Sequence, residues 1–108
     1  MKFYIFLFLT AISNLSIAQN IADARTQALG SIVTVSGVIT NGSEMPVVRY
    51  MQDSSAGIAI YDNQLEDVDR GDSITVTGKL DDFNGLLEVI DVTFTNHGQT
   101  DQIIPVIS

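Results

Sequence analysis

Hydrophobic residues fall along the chain in three successive patterns. The first is an unbroken run, Phe3-Tyr4-Ile5-Phe6-Leu7-Phe8-Leu9, behind Met1 and Lys2 and ahead of Ser16-Ile17-Ala18. A positive start, an apolar core and small residues where a signal peptidase cuts describe a secretory leader, so residues 1–18 read as a signal peptide cleaved after Ala18. Thr10, Ser13 and Asn14 interrupt the run before it reaches the ~20 apolar residues a membrane helix needs, and no span is expected after cleavage. The second pattern has a helical period over residues 20–29. Asn20 is placed to cap it, Ile21, Ala24, Ala28 and Leu29 recur at helical spacing, and Gly30 stops it.

Beyond Gly30 the period is two. Val33, Val35, Gly37 and Ile39 alternate with Thr34, Ser36, Val38 and Thr40, the signature of a half-buried strand. Asn41-Gly42-Ser43 marks a turn, and it also matches a glycosylation acceptor. A second strand is expected from Val47 to Asp53 and a third from Ile58 to Tyr61, with Ser54-Ser55-Ala56-Gly57 turning between them. Residues 62–72 form a polar connection. The fourth strand places Ile74, Val76, Gly78 and Leu80 inward; Asp81-Asp82-Phe83-Asn84-Gly85 is a hairpin loop, and Leu86 to Phe94 is strand five. Thr95-Asn96-His97-Gly98-Gln99 reads as an exposed tail.

Five short strands separated by turn residues predict an all-β domain, a small barrel. Gly37 and Gly78, mid-strand, suit the sharp bends that closing such a barrel requires. A five-stranded barrel whose longest link joins strands three and four is the arrangement of the OB-fold, here with an N-terminal helix. The expected organisation is a signal peptide over 1–18, an OB-fold domain over 19–95, and a C-terminal tail or linker start over 96–108.

Composition narrows the chemistry. The chain has 13 Asp and Glu against 5 Lys and Arg, one His, and no Cys. Zinc fingers, disulfide scaffolds and cysteine nucleophiles are excluded. Cleavage removes Lys2 and no acid, leaving four basic residues against 13 acids, a net charge of −9 over 90 residues. Such a surface repels a polyanion and lacks the cations that nonspecific DNA binding requires. Export without cysteines fits a bacterial periplasmic or secreted protein.

Ile21-Ala22-Asp23-Ala24-Arg25, Thr34 to Thr40, Arg49 to Asp53, Gly57 to Tyr61, Gly71 to Gly78 and Phe83 to Glu88 follow one another along the chain. In that order and spacing they resemble bacterial exported OB-fold domains, including the repeated accessory modules of secreted YhcR-like nucleases. The resemblance implies a non-catalytic module, by analogy one that binds nucleic acid, although the charge opposes that ligand.

OB-folds bind on the face of strands two and three, framed by the first-to-second and fourth-to-fifth loops. If Met51 points inward, Tyr50 and Gln52 point out onto that face, as does Tyr61. Tyr50, Tyr61 and Phe83 are candidate stacking platforms for bases or sugars, with Asn84 beside them and Arg49 or Lys79 supplying charge. Their alternative role is covering the barrel. The carboxylates Asp62, Asp67, Asp69 and Asp72 raise a calcium reading, but the EF-hand spacing fails because Gly71 falls one place early. No other cofactor is expected. His97 is the sole imidazole and no nucleophile elbow accompanies it, so catalysis is not expected. Three readings follow: recognition of a polymer or protein partner through the strand two–three face, a structural spacer of a larger secreted protein, and a calcium-dependent surface-binding module.

Overall fold

In the computed structural model the period-two segments become strands that send alternate positions into a shared interior. The structure describes residues 18–42 and 44–100, so residues 1–17 of the expected leader and 101–108 of the expected tail lie outside the described residues. In chain order the elements are helix α1 (Ile21–Ala24), strands β1 (Ile32–Ile39), β2 (Val48–Gln52) and β3 (Gly57–Tyr61), a 3-10 turn at Asn63–Asp67, and strands β4 (Asp72–Phe83) and β5 (Leu86–Gln99). The strands close a barrel in the order β1-β2-β3-β5-β4. All pairings are antiparallel except β3 with β5, where Ala59 pairs Glu88 and Ile60 pairs Val89 in parallel. This is the five-stranded OB-fold with a short N-terminal helix.

Alternation sends Val33, Val35 and Ile39 of β1, Met51 of β2, Ile58 and Ile60 of β3, Ile74, Val76 and Leu80 of β4, and Val89 and Val92 of β5 into the interior. Ile21 and Ala24 of α1, with Leu65 and Val68 of the β3–β4 connection, complete the core. Each fully buried aliphatic side chain of this kind contributes about 1.5–3 kcal/mol.

The two mid-strand glycines sit where strands cross closely. At Gly37, β1 passes from pairing with β4 to pairing with β2. A Cβ there would lie 2.6 Å from the Gln52 carbonyl oxygen. At Gly78 it would lie 2.6 Å from Val89 Cγ1 and 2.7 Å from the Ile90 carbonyl oxygen.

Two expectations are corrected. The helix is one turn instead of ten residues: Asn20 caps it through Asp23 N–H, but Leu29 is exposed. Only that turn finds apolar cover, and the following segment is needed to reach β4, where Gly30 N–H donates to Leu80 O. Strand five does not end at Phe94 but runs to Gln99, paired with β4 as far as Asp72. Residues 96–99 therefore belong to the sheet and not to a tail, and His97 Nε2 lies 2.9 Å from Thr75 Oγ1. Asn41, at the expected turn, is buried, its amide donating to Val48 O and accepting from Tyr50 N–H, so its side chain extends the pairing of β2. No helix among the described residues is long and apolar enough to cross a membrane.

Candidate ligand-binding cleft

Strand register assembles the outer face of the barrel. Tyr50 pairs Ala59, Ala59 pairs Glu88 and Glu88 pairs Asp81, giving one row across β2, β3, β5 and β4. Val48 pairs Tyr61 in the adjacent row, and Phe83 pairs Leu86 at the hairpin. Cross-strand partners stand about 4.5–5.5 Å apart at Cβ, so these side chains share one surface. They line a cleft of about 690 Å³, closed at its rim by Met45 of the β1–β2 loop and by Asp62 and Asn63 after β3. That volume lies within the range of small-molecule sites.

The three expected aromatics, Tyr50, Tyr61 and Phe83, do meet in this cleft. Phe83 is 61% exposed, well beyond what a core aromatic shows, so these rings are not consumed by the interior. The hairpin that presents Phe83 is a two-residue turn in which Asn84 and Gly85 both have positive φ, 53° and 91°. This is the Asn-Gly pairing that matches the twist of the strands. Asn84 is at the tip for that backbone reason and does not line the cleft.

The other expected site residues lie elsewhere. Arg49 shares Met51's parity and therefore points inward, fully buried. Its Nε donates to Val68 O at 2.7 Å, and its Nη1 donates to Val48 O and Met45 O. Nη2 finds no partner among the described residues. Arg49 thus ties β2 to the β3–β4 connection. Gln52 borders a second, shallower hollow of about 180 Å³. Lys79 stands outside the cleft and faces Asp91 at 3.6 Å.

The carboxylates proposed for calcium do not converge. Asp62 Oδ1 accepts from Gln64 N–H as the cap of the 3-10 turn. Asp72 is buried and accepts from Asp69 N–H, Asn96 Nδ2 and Gln99 Nε2. Burial raises its pKa, but those three donors outweigh burial and hold it below the ordinary value. Asp67 and Asp69 are exposed on the connection. Among the described residues no three acidic or imidazole side chains are grouped to hold a metal ion.

Acidity in the cleft comes from a different set: Asp62, Asp81, Glu88 and Asp91 line it, and no Lys or Arg does. Glu88 was not foreseen. It is only 6% exposed, and no described residue gives its carboxylate a hydrogen bond or an ion pair. Burial, and then the negative charge of Asp81, push its pKa up. The signal was present in β5, where Leu86, Glu88 and Ile90 share one parity and set an acid between two apolar residues on the outer face.

No family model matches the chain, and no curated protein matches it. Among solved structures it is similar to the hypothetical protein ygiW of E. coli, with a TM-score of 0.63 and 17% identity, covering 75% of this chain and 90% of that one. It is also similar to the p204 HINb domain, with a TM-score of 0.59 and 11% identity over 74% of this chain and 47% of that one. At these identities the likeness is one of fold, and it agrees with the OB-fold barrel.

Proposed function

We propose that the chain is an exported, non-catalytic OB-fold module that binds its ligand in the cleft of β2, β3 and β5. This is the accessory role implied by its resemblance to the modules of secreted YhcR-like nucleases. The observation that carries the reading is the convergence of Tyr50, Tyr61 and Phe83 on one open, apolar-walled cleft at the face where OB-folds bind. A spacer domain has no need of exposed rings gathered in a concavity.

The lining selects among ligands. Aromatic faces stack on sugars, bases and cations alike, but a nucleic-acid groove adds cations that track phosphates. Here the cleft carries four acids and no cation. The reading is therefore a neutral or positively charged ligand, an oligosaccharide included, and not a polyanion. Titrating the protein with a neutral β-linked oligosaccharide and with a fluorescently labelled single-stranded oligonucleotide at low salt separates these. Retention of the first or of a cationic ligand, with loss in the Tyr50→Ala/Phe83→Ala variant, supports the reading. Oligonucleotide binding abolished by that variant overturns it.

A further inference from the structure

Glu88 is a carboxylate set into the wall of the cleft with no hydrogen-bond or ion-pair partner among the described residues. The residue is only 6% exposed, and its carboxylate oxygens, unlike Arg49 Nη2, are not fully enclosed but open into the cleft, where no described residue donates to them. Burying an unpaired polar group costs about 1–3 kcal/mol, more for a charge, so such a group in a native structure needs a reason. Salt bridges in the described structure are Arg70 with Glu44 and Lys79 with Asp91, and neither includes Glu88. Its register partner on β4 is another acid, Asp81, which makes its position worse.

We propose that the cleft is a site for a small organic cation, an ammonium group on an apolar body, with Glu88 as the counter-ion and Tyr50, Tyr61 and Phe83 as the walls. This deepens the cleft-binding reading and rests on it. An ammonium donates to the Glu88 carboxylate and relieves its isolation. The ring faces attract the same charge through their quadrupoles, and that attraction strengthens where water is displaced. Asp62, Asp81 and Asp91 add a negative field at the mouth. A neutral ligand would leave Glu88 unpaired, and an anion would be repelled. A hard metal ion is a poorer occupant, since it asks for six or more oxygens and no three acids are grouped to supply them.

Three probes with one carbon skeleton test the charge alone: phenethylammonium, 2-phenylethanol and phenylacetate, titrated into the full chain with the cleft followed by amide chemical shifts. The ammonium is expected to bind about tenfold tighter than the alcohol, and phenylacetate not at all. Glu88→Gln keeps the side-chain shape and removes the charge. It is expected to bring the ammonium down to the alcohol's affinity and to leave the alcohol unchanged. Equal binding of alcohol and ammonium, or an ammonium affinity indifferent to Glu88→Gln, overturns the cation site while leaving the cleft reading intact. If none of the probes shifts a cleft resonance in the millimolar range, while the oligosaccharide does, the cation site alone fails; if the oligosaccharide fails as well, both fall.

Discussion

A single inward-facing cation shows how position overrides residue type. Arg49 looks like a ligand-binding charge until strand parity is applied: it lies two residues before Met51, so it must share Met51's face. In the barrel its guanidinium serves the carbonyls of Met45, Val48 and Val68. Arg49→Met keeps much of the stem but strands the carbonyls of Met45 and Val68, each worth about 1–3 kcal/mol when buried and unmade, while Val48 O keeps its bond from Asn41 Nδ2. Urea unfolding is expected to show a loss of about 3 kcal/mol with no change in ligand specificity. Glu88 is the converse case, an outward parity that burial then hides. Because its native pKa is raised, the folded state holds more protons than the unfolded one above the ordinary carboxylate value. Stability therefore falls as pH rises through that window and stays lower above it. The groups around Glu88 are Asp81 of β4, Tyr50 of β2, Tyr61 and Asp62 at the end of β3, and Asp91 of β5, with Lys79 of β4 opposite Ile90 in the next outward row and facing Asp91 at 3.6 Å. Glu88→Gln is expected to stabilise the protein at neutral pH by about 1 kcal/mol and to make little difference once both states are protonated. Thermal melts across pH would show the gain growing with pH, and a loss at neutral pH would contradict the assignment.

At the scale of elements, the strands were legible because their period was strict and β-branched residues filled it. Ile74, Val76, Gly78 and Leu80 alternate with Ser73, Thr75, Thr77 and Lys79, and every one of the first set is buried. What the sequence did not disclose was extent. The helix lost its second half because its cover is set by the β2–β3 turn, a contact 32 residues away. Asp53 Oδ2 accepts from Ile21 N–H, and Ser55 Oγ accepts from Ala22 N–H. Strand five gained Thr95 to Gln99 because β4 offers a paired edge as far as Asp72, which polar residues can occupy as well as apolar ones.

Two tests belong here. Burial raises the pKa of Asp53, but donation from the Ser55 hydroxyl and from the amides of Ile21, Ser55 and Ala56 outweighs it and lowers the net value below 3.8. The stability it confers is present above that value and disappears as pH falls through the lowered one. Asp53→Ala is expected to cost about 1–2 kcal/mol at neutral pH, like the loss of a good cap, and much less in strong acid. Gly78→Ala places a methyl against Val89 Cγ1 and the Ile90 carbonyl. It is expected to cost about 1–3 kcal/mol through overpacking, seen as a lower denaturation midpoint, whereas Gly85→Ala meets no atom and is strained only by its positive φ.

For the whole molecule, the acidic balance first excluded classes of chemistry and the fold then gave it a location. Part of the charge gathers in the cleft with the exposed aromatics, while Asp53 and Asp72 hold turns and strand ends together. The aromatic trio of the candidate site could be read from parity and hairpin position alone. For Glu88 only the outward parity in β5 could be read; its burial depends on β3 and β5 pairing in parallel, a long-range register that no local pattern encodes. The likeness to ygiW and to the HINb domain extends to the barrel and leaves the ligand to be read from the cleft.

The most direct measurement is amide chemical-shift mapping of the labelled protein during titration with phenethylammonium and the neutral oligosaccharide. The account predicts saturable shifts at Tyr50, Tyr61, Phe83, Glu88 and Ile90, with the outer face of β1 and β4 around Thr34 and Thr77 unmoved. Saturable shifts confined to that opposite face, or no saturable shift with either ligand, would contradict it.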